Sequence, residues 1–533
     1  WRPLASRNAV GPSFRDANGL HCGTPGNVIR NCVPFNLFGG PDLGVAAGVL
    51  SAAERDAMIN YVSYTKNEFA ENNTKDYFAN LSGSLADLPA GPLGFAVGLE
   101  HRRTSYVNQP DALVAGGGSS DNFSEPTRGN VNVDEVYAEL NIPILADMPG
   151  FKSLELNLAA RKSDYDASGF FGGSTISPDI GGDTSKKIGL KWQVFDDLML
   201  RATFSESFRA PSVTDLFAGG SESFPQAADP CNTFNYGNAA TDQAQCNADG
   251  VPVGGVAQAN SQIRSLTGGN PQLTPEFGDT KSFGIVYSPS WAEGLNFTLD
   301  WYNIQLEQVI SFRGSQAVLN ACYLDIGAVG GPVDAAQKAL FCSFVGRDST
   351  GAILDLRQSS FNLLEAELEG YDFQVTYQLP DTKWGSFAWQ WDTTYQTDNN
   401  FFSNGVGTYN GTPTWRLRSN ILTTWKKGDW DAAWSMRYYS ALEEPCFGGG
   451  YFEYGITPTD ICPDSGINEI GRRLYHDVQV GWKTPWNGKV AVGARNIFGK
   501  EPPITRNSFA HSFDGAYDLP GGGFFYLQYN QKF

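Results

Sequence analysis

The sequence lacks any long hydrophobic run. Nowhere in its 533 residues is there an unbroken apolar stretch of about 20 residues, the length that a helix needs to cross a bilayer. The mean hydropathy is −0.30. A membrane-spanning helix is therefore excluded. A membrane β-barrel is not, because only alternate residues of its strands face lipid.

Positive charge is also scarce. The chain has 38 Lys and Arg against 57 Asp and Glu, which gives a formal charge of −19. Proteins that bind nucleic acid need a basic surface to face the phosphates, so no nucleic-acid partner is expected. Aromatic residues, in contrast, make up 13% of the chain. Such a share suits a barrel that has aromatic girdles at both membrane interfaces.

Residues that carry catalysis are few. The chain has four His residues, namely His21, His101, His476 and His511. None belongs to an H-E-x-x-H motif, and neither a G-x-S-x-G motif nor a P-loop occurs. Adjacent carboxylates such as Glu443 and Glu444 point apart on a strand, which does not favour an acid/base pair. We therefore predict no enzyme activity, no metal site and no cofactor.

The eight cysteines lie in four local couples: Cys22 and Cys32, Cys231 and Cys246, Cys322 and Cys342, Cys446 and Cys462. No C-x-x-C motif occurs, and no His lies near a couple at metal-ligand spacing. Because each couple falls within one predicted loop, we predict four disulfides between near neighbours, among about 105 possible connectivities. Disulfides indicate an oxidising compartment outside the cytoplasm. Four pairs of buried free thiols are the alternative.

Hydrophobic residues alternate along residues 185–207. Ile188, Leu190 and Trp192 point one way, and Lys187 and Lys191 point the other. The next arm, 197–207, repeats the pattern. A period of two predicts strands, because successive side chains leave opposite faces of a pleated chain, and residues 195–197 suit a tight hairpin turn. A soluble sheet would show the same pattern.

The same reading predicts fifteen strands, at 66–87, 92–107, 130–146, 151–167, 182–194, 197–207, 277–289, 294–311, 365–379, 384–399, 414–426, 430–441, 472–484, 488–496 and 521–533. In one of them Trp415, Leu417 and Trp425 are expected on one face, with Arg416 and Arg418 on the other. Seven short connections alternate with seven longer ones, among them 168–181 and 208–276. A transmembrane barrel alternates short periplasmic turns with long external loops in this way.

Tryptophan clusters at the short turns. Five of the seven have a Trp within a few residues: Trp192, Trp291, Trp384, Trp425 with Trp430, and Trp482 with Trp486. We interpret this as an aromatic girdle at one membrane interface. The fold class is therefore all-β, a transmembrane antiparallel barrel.

The chain is expected to have two parts. Residues 1–65 form an external loop with a short helix at 52–62, predicted from the capping box Ser51 and Glu54. Residues 66–533 form strands with long external loops.

Several stretches resemble the TonB-dependent receptors of the Gram-negative outer membrane. They are Phe208-Arg209-Ala210-Pro211-Ser212 with Asp215-Leu216-Phe217, the segments 139–143 and 269–276, Arg495–Lys500 with Pro502-Pro503, and an amphipathic last strand that ends in Phe533. They occur in the family's order, each at a predicted strand or strand end, and we expect their roles to be structural. The segment 32–40 resembles a subgroup with long cysteine-bearing external loops.

The resemblance implies more than these residues show. Fifteen is an odd count, and the family's barrel has 22 strands around a plug domain, so this sequence would be the C-terminal part of such a barrel, without the plug. The implied function is energised uptake of a scarce solute: an iron chelate, cobalamin, an oligosaccharide or a peptide. Implied partners are the TonB–ExbB–ExbD complex through the missing N-terminal region, outer-membrane lipids and lipopolysaccharide, an external solute and a surface lipoprotein.

Three other functions remain open. The chain would also suit an outer-membrane adhesion or scaffold barrel that binds a protein partner without transport. A barrel hydrolase is disfavoured by the scarcity of His, and a soluble β-sandwich by the segregation of loop length and Trp.

Two sets of side chains are candidate site residues. One set is the aromatic residues of the Gly-rich loop between Cys446 and Cys462, which are candidates for solute binding: Phe447, Tyr451, Phe452 and Tyr454. Packing against neighbouring loops is the alternative for them. The other set comprises cations on the polar strand faces, which the resemblance places opposite the plug: Arg161, Lys191, Arg201, Arg416, Arg418 and Arg495.

Overall fold

The computed structural model describes residues 9–35, 40–326, 333–400, 405–409, 411–444, 468–505, 508, 512–518 and 520–532. Within these residues the chain forms fifteen long strands, the number predicted from the alternation. Their bounds are β1 Phe69–Leu88, β2 Gly91–Gln109, β3 Thr127–Met148, β4 Phe151–Phe171, β5 Asp179–Phe195, β6 Leu198–Arg209, β7 Glu276–Tyr287, β8 Leu295–Arg313, β9 Ile353–Gln378, β10 Ser386–Asn399, β11 Leu417–Lys427, β12 Trp430–Tyr439, β13 Arg473–Lys483, β14 Gly488–Arg495 and β15 Phe524–Gln531.

The strands follow one another in a single antiparallel sheet that curls into a barrel. In the strand order β15 neighbours β1. No residue-by-residue register joins these two strands in the described part of the chain, whereas each other neighbouring pair has one. Every residue of β1 except Leu88 is exposed.

The connections differ between the two ends of the barrel. Tight turns close one end, at 89–90, 149–150, 196–197, 288–294, 379–385, 428–429 and 484–487. These are the seven predicted short connections. At the other end lie long segments, including 210–275, 314–352 and 440–472. One predicted long connection is wrong. Residues 168–181 are mostly strand, because β4 and β5 extend beyond their predicted ends and Gly172 and Gly173 turn the chain with φ of 59° and 88°.

Strand β9 is also longer than predicted. It begins at Ile353 rather than at 365. Its first residues pair with the short strands Ser265–Thr267 and Val345–Arg347, both from the external connections. The first residues of β9 are thus held as a strand by pairing with segments of distant loops. The alternation within β9 itself does not reach these residues, so it did not predict them as strand.

Seven helices and several short strands occupy the described connections. The helices are α1 Gly40–Ala46, α2 Ala52–Val62, α3 Ala112–Ala115, α4 Val213–Phe217, α5 Gln243–Ala248, α6 Ser315–Tyr323 and α7 Ala335–Cys342. The remaining short strands are Ser13–Asp16, Gly19–Thr24, Asn27–Ile29, Ser174–Ile176, Ser221–Ser223, Thr408–Tyr409, Pro413–Thr414, Leu442–Glu443 and Glu469–Ile470. Helix α2 has the predicted bounds and capping box, with Ser51 and Glu54 bonding each other's backbone. None of the helices described here has the length and apolar character needed to cross a membrane.

The outward face of the sheet is apolar and exposed. Leu99 is 62% exposed, Ile188 is 52% exposed and Leu527 is 73% exposed. A water-soluble protein rarely leaves so large an apolar surface uncovered. The opposite face carries the alternate, mostly polar residues and lines the lumen. The two faces thus have the polarity of a barrel whose outside contacts lipid.

Aromatic side chains border the outward face at two levels. Near the tight turns Trp291, Trp384, Trp430 and Trp486 are exposed, as expected for the predicted girdle. Towards the long loops, four outward rings lie directly opposite one another on β7 to β10: Phe283, Trp301, Tyr371 and Tyr395. On β10 eight residues separate Phe387 from Tyr395, or roughly 20 Å along the membrane normal at a tilt of about 40°. That spacing is close to the apolar band of about 25 Å in outer-membrane barrels.

Candidate functional site: the external mouth of the barrel

The segment after β6 folds into the mouth. Ser212 and Asp215 form a capping box at the start of α4. Arg209, the last residue of β6, forms ion pairs with Asp215, at 3.2 Å, and with Glu276 at the start of β7. The chain is therefore fixed to its own strand and to the next one where it leaves the barrel wall.

Helix α4 packs on the lumen face of β3 and β4. Phe217 is fully buried there. Its ring lies over Gly129 and Gly169, which pair with each other across the two strands. A Cβ atom added to Gly169 would lie 2.3 Å from Cγ of Phe217. Two glycines at facing positions thus provide the space that the ring occupies.

The segment 269–276 contacts the same helix. The backbone N–H of Asn270 donates to the carbonyl oxygen of Asp215 at 2.7 Å, and Leu273 is buried in the cluster around Phe217. Glu276 accepts a hydrogen bond from the backbone N–H of Ile310 at 2.6 Å. Two motifs that are about 60 residues apart therefore form one joint between β6, β7 and β8. Their contacts are structural, as expected from the sequence.

Two external connections, 210–275 and 314–352, share one buried core with the start of β9. We call this core the loop module, and it comprises residues 225–263, 315–326 and 333–356. The disulfides Cys231–Cys246 and Cys322–Cys342 lie inside it. Together with Cys22–Cys32 these are three of the four predicted bonds. Cys446 and Cys462 lie outside the described residues. Asp249 lies close to the sulfurs of Cys322 and Cys342, but a disulfide offers no thiolate for a metal ion.

A buried ion pair holds the loop module together. The side chains of Arg347 and Asp229 are each 3% exposed and form two parallel hydrogen bonds of 2.7 and 2.9 Å. Nε of Arg347 donates to the hydroxyl of Tyr323 at 3.1 Å, and that hydroxyl donates to Asp249 at 2.8 Å. Burial raises the pKa of Tyr323, so the hydroxyl keeps its proton.

A second cluster at the mouth is aromatic. Its rings come from two connections and from β12 and β13. Tyr409, Trp415, Tyr475 and Tyr517 are buried, and the partly buried Tyr439 packs against them. The Trp415 ring lies 4.8 Å from the Tyr439 ring at an interplanar angle of 44°, and Nε1 donates to the Tyr517 hydroxyl at 2.9 Å. Burial raises the pKa of Tyr517 to about 12. The hydroxyl therefore stays neutral at physiological pH.

The placement of Trp415 differs from the prediction. The residue does not share the outward face with Leu417 and Trp425, because β11 begins only at Leu417 and the chain bends at Arg416. The indole instead contacts Arg418 at 5.7 Å on the lumen side. The sequence pattern missed this cluster, since the alternation gives no sign of the bend.

Arg437 on the lumen face of β12 clamps one loop against this cluster. Its guanidinium donates two hydrogen bonds of 2.9 Å to Asp518 and two of 3.2 Å to Asp477. It also lies 5.2 Å from the centre of the Tyr475 ring. Segment 512–518 is thereby tied to the inner wall. The mouth is thus narrowed from two sides, by α4 and by this loop.

The predicted lumen cations have different surroundings. Arg161 bonds Glu100 at 2.7 Å and also contacts Glu135, and Arg201 donates to Asp300 at 2.8 Å. These two charges are already neutralised by the barrel wall.

The other four cations are held less tightly. Arg416 donates to the carbonyl oxygen of Val406 at 3.3 Å, and Arg418 stacks on Trp415. Lys191 lines a hollow of about 290 Å³ together with Lys187 and Arg201. No ion pair of Lys191 or Arg495 is found among the described residues. Whether any of the six cations contacts a plug stays a prediction.

The predicted aromatic ligands of the loop after β12, namely Phe447, Tyr451, Phe452 and Tyr454, lie outside the described residues. Their role therefore also stays a prediction. The described part of this connection, Leu442–Glu443 and Glu469–Ile470, pairs into a small sheet beside the aromatic cluster.

An antiparallel barrel with an exposed apolar band, two aromatic borders and a loop-narrowed mouth defines a transmembrane barrel of the outer-membrane class. A sequence model described as "TonB dependent receptor-like, beta-barrel" matches residues 33–497. The chain belongs to this family, as the sequence motifs indicated. It is an outer-membrane protein of a family of receptors and transporters.

Solved structures of receptors are similar to this chain. FpvA of P. aeruginosa, bound to heterologous pyoverdines, is 13% identical with a TM-score of 0.51 over 86% of this chain and 48% of FpvA. The ferric enterobactin receptor PfeA of Pseudomonas aeruginosa and the siderophore receptor PirA of Acinetobacter baumannii are each 15% identical, with TM-scores of 0.43, over 86% of this chain and 62% of theirs. The chain thus spans about half the length of FpvA. No curated protein matches the sequence.

Proposed function

We propose that the protein is the barrel part of an outer-membrane receptor that takes up a scarce solute by TonB-driven transport. The observation that carries the proposal is the mouth, where α4 and segment 512–518 fold inward over a lumen lined by charged side chains. A permanently open pore would not need loops packed into its opening. A narrowed mouth suits a receptor that first captures its solute and then needs external work to release it inward.

A ferric siderophore is the first solute to test. FpvA, whose fold this chain shares, is described in complex with an iron-loaded pyoverdine. We assign solute capture to the loop aromatics Phe447, Tyr451, Phe452 and Tyr454. Lys191 and the other lumen cations would contact a plug, and the TonB–ExbB–ExbD complex would supply the work through a segment outside this sequence.

The test is accumulation of radioactive iron by iron-starved cells that make the native protein. We expect uptake of the ferric siderophore to fall to background when the receptor gene is deleted, and equally when the proton gradient is collapsed. Cobalamin, an oligosaccharide and a peptide serve as the comparison solutes. Energised accumulation of none of the four, or accumulation that persists without the receptor, would contradict the proposal.

A protein-binding barrel without transport is the second candidate, since one observation favours it. On the loop module Phe234 is 90% exposed and Val253 is 88% exposed, and the segments that carry them are joined by the backbone bond from Thr233 to Val256. Two solvent-exposed apolar side chains on the disulfide-bonded loop module suit docking of another protein.

Paired variants separate the two functions. Under the transport proposal, Tyr451→Ala with Phe452→Ala raises the solute concentration needed for half-maximal uptake, and Phe234→Ala leaves it unchanged. Under the adhesion proposal, Phe234→Ala with Val253→Ala abolishes partner binding, and the loss of Tyr451 and Phe452 has no effect.

A further inference from the structure

Arg313 is a buried cation without a counter-charge. It is 8% exposed, and neither Nε nor Nη2 of its guanidinium has a hydrogen-bond partner in the described part of the chain. A buried charge is normally paired, because leaving it unpaired is costly. Four other arginines at the mouth each pair with a carboxylate, namely Arg209, Arg264, Arg347 and Arg437. Arg313 therefore lacks a partner of the kind that these arginines have.

The residue lies outside the membrane, at the end of β8. It is twelve residues beyond Trp301, whose ring belongs to the external aromatic border, so it stands roughly 30 Å further along the membrane normal. Ser359 on β9 lies directly opposite it, and Phe361 on the same strand belongs to the buried core of the loop module. Burial lowers the pKa of Arg313, yet an arginine keeps its proton at neutral pH.

Helix α6 begins directly after this arginine. Its N-cap is Gly314, and no side chain caps it. The backbone N–H groups of Ser315, Gln316 and Ala317 have no acceptor among the described residues. The start of a helix attracts anions, because its free N–H groups and the positive end of its dipole point outwards there. A Cβ atom added to Gly314 would find no atom closer than 3.8 Å apart from its chain neighbours, so a small anion has room beside the N-cap.

The guanidinium and the start of the helix belong to one short stretch, 313–317. Arg313 occupies the position before the N-cap, where a side chain commonly packs against the first turn of the helix. A guanidinium carries its donors in a planar fork that fits two oxygens of one carboxylate or phosphate. The N–H groups of the first turn suit a further oxygen of the same anion. Both sets of donors thus require an acceptor that the described residues do not supply.

Two carboxylates on the adjacent strands have other partners. Asp355 on β9 pairs with Arg264 at 2.9 Å, and Glu276 on β7 pairs with Arg209. Arg357 is the diagonal neighbour on β9 of the buried arginine, and it has no ion pair within the described ranges. The local charge at the start of α6 is therefore positive, although the chain as a whole has a formal charge of −19.

We propose that Arg313 and the first turn of α6 bind a small oxyanion, a phosphate or a carboxylate, at the edge of the loop module. The guanidinium donates two hydrogen bonds to the anion, and the N–H groups of the turn donate others. Helix α6 ends at Tyr323, whose hydroxyl accepts a hydrogen bond from Arg347. The bound anion therefore stabilises the helix that contacts the buried ion pair of the loop module. The site does not depend on which solute the lumen carries.

The test uses the whole receptor, purified from outer membranes in a neutral detergent and a chloride buffer. Amide hydrogen exchange of α6 is followed while inorganic phosphate, or acetate as the carboxylate probe, replaces chloride at constant ionic strength. Constant ionic strength separates binding from general screening. Calorimetric titration of the same samples gives Kd and the stoichiometry, and the probe with the lower Kd identifies the preferred anion.

Binding should slow exchange of α6 by a factor of one plus the ratio of anion concentration to Kd, or about tenfold at ten times Kd. Arg313→Met should abolish both the slowing and the heat of binding. Arg313→Lys keeps a charge but lacks the planar fork, so it should bind more weakly. The matched control is Arg473→Met, which removes an arginine of the mouth that donates to backbone carbonyl oxygens. It should respond like the native protein.

Three results would overturn the inference. One is native exchange that responds to neither probe, which would mean that the guanidinium is satisfied within the protein. Another is a response that Arg313→Met retains, which would place the anion elsewhere. The third is loss of the response in Arg473→Met as well, which would reduce the effect to the net charge of the mouth. If Arg313→Met does not fold, Arg313→Lys takes its place, and native affinity in that variant would contradict the proposal.

Discussion

Removal of Asp229 should open the loop module. The carboxylate makes both charge-assisted hydrogen bonds that neutralise Arg347, and it also accepts the backbone N–H of Cys231 at 2.9 Å. In Asp229→Ala the guanidinium stays buried at 3% exposure with only the Tyr323 hydroxyl and the Gly351 carbonyl as partners. Breaking one side of a buried pair costs about 3–5 kcal/mol. Because each 1.4 kcal/mol is a factor of ten, the opening constant should rise by roughly 10²–10³ or more.

Amide hydrogen exchange of the loop module measures this change, since opening free energies of separate regions are read individually. Exchange should accelerate across residues 225–263, 315–326 and 333–356 and remain unchanged in the parts of the barrel strands outside these ranges. The matched control is Arg264→Met, which removes an arginine that bonds Glu222 and Asp355 but is 41% exposed. Exposed pairs contribute about 0–1 kcal/mol, so its effect should be small.

A double replacement tests whether the unpaired buried charge causes the opening. Asp229→Leu with Arg347→Met removes both charges and leaves apolar side chains of similar size, which is often neutral for a buried pair. The amides of the loop module should regain most of the protection from exchange that they lose in Asp229→Ala. This cause is refuted if the amides of the double variant exchange as fast as those of Asp229→Ala. It is also refuted if the amides of Asp229→Ala exchange no faster than those of the exposed control, Arg264→Met.

Three further predictions concern the mouth and its pH response. Gly169→Ala should destabilise the packing of α4 by about 1–3 kcal/mol through overpacking, seen as trypsin cleavage after Arg209, whereas Gly189→Ala, whose added Cβ would find no atom closer than 3.5 Å, should not. Arg437→Met should release the loop that it clamps, by about 2–3 kcal/mol for the lost charged hydrogen bonds, and exchange there should accelerate without change in α4. The hydrogen bond from Lys338 lowers the pKa of Asp242, so its stabilisation is present at neutral pH and is lost as the pH falls through that lowered value. Pepsin should therefore cleave the loop module increasingly as the pH falls, and Asp242→Asn should flatten that dependence.

The strands were predictable because, in a membrane barrel, alternate residues of each strand face lipid and lumen, which produces a regular alternation of apolar and polar residues in the sequence. In β5 the apolar series Ile188, Leu190 and Trp192 faces lipid along its whole length, and no tertiary contact competes with it. The tight turns were predictable for a related reason, since short connections at the periplasmic end leave the pattern almost uninterrupted. The strand count therefore followed from local sequence.

The mouth was not predictable in the same way. Its contacts join residues that are far apart in sequence, such as Trp415 with Tyr517 and Phe217 with Gly169. The motif around Phe217 was recognised as a signature, but the glycine pair that receives the ring gave no local signal. Likewise the extension of β9 depends on Ser265–Thr267, which precede their partners in β9 by 91 residues, and only a folded structure brings the two together.

The lumen charges bear on how a plug would be held. A side chain attracts a second surface strongly only if its charge is not already satisfied. Arg161 and Arg201 are satisfied by carboxylates on neighbouring strands, so their removal would disturb the wall before it disturbed a plug. Lys191 forms no such ion pair among the described residues, but Glu155 faces it across β4 and β5 and lines the same open hollow. If a plug is held by charge, an acidic group that reaches Lys191 therefore competes with Glu155, whereas Arg161 and Arg201 serve chiefly to join the strands.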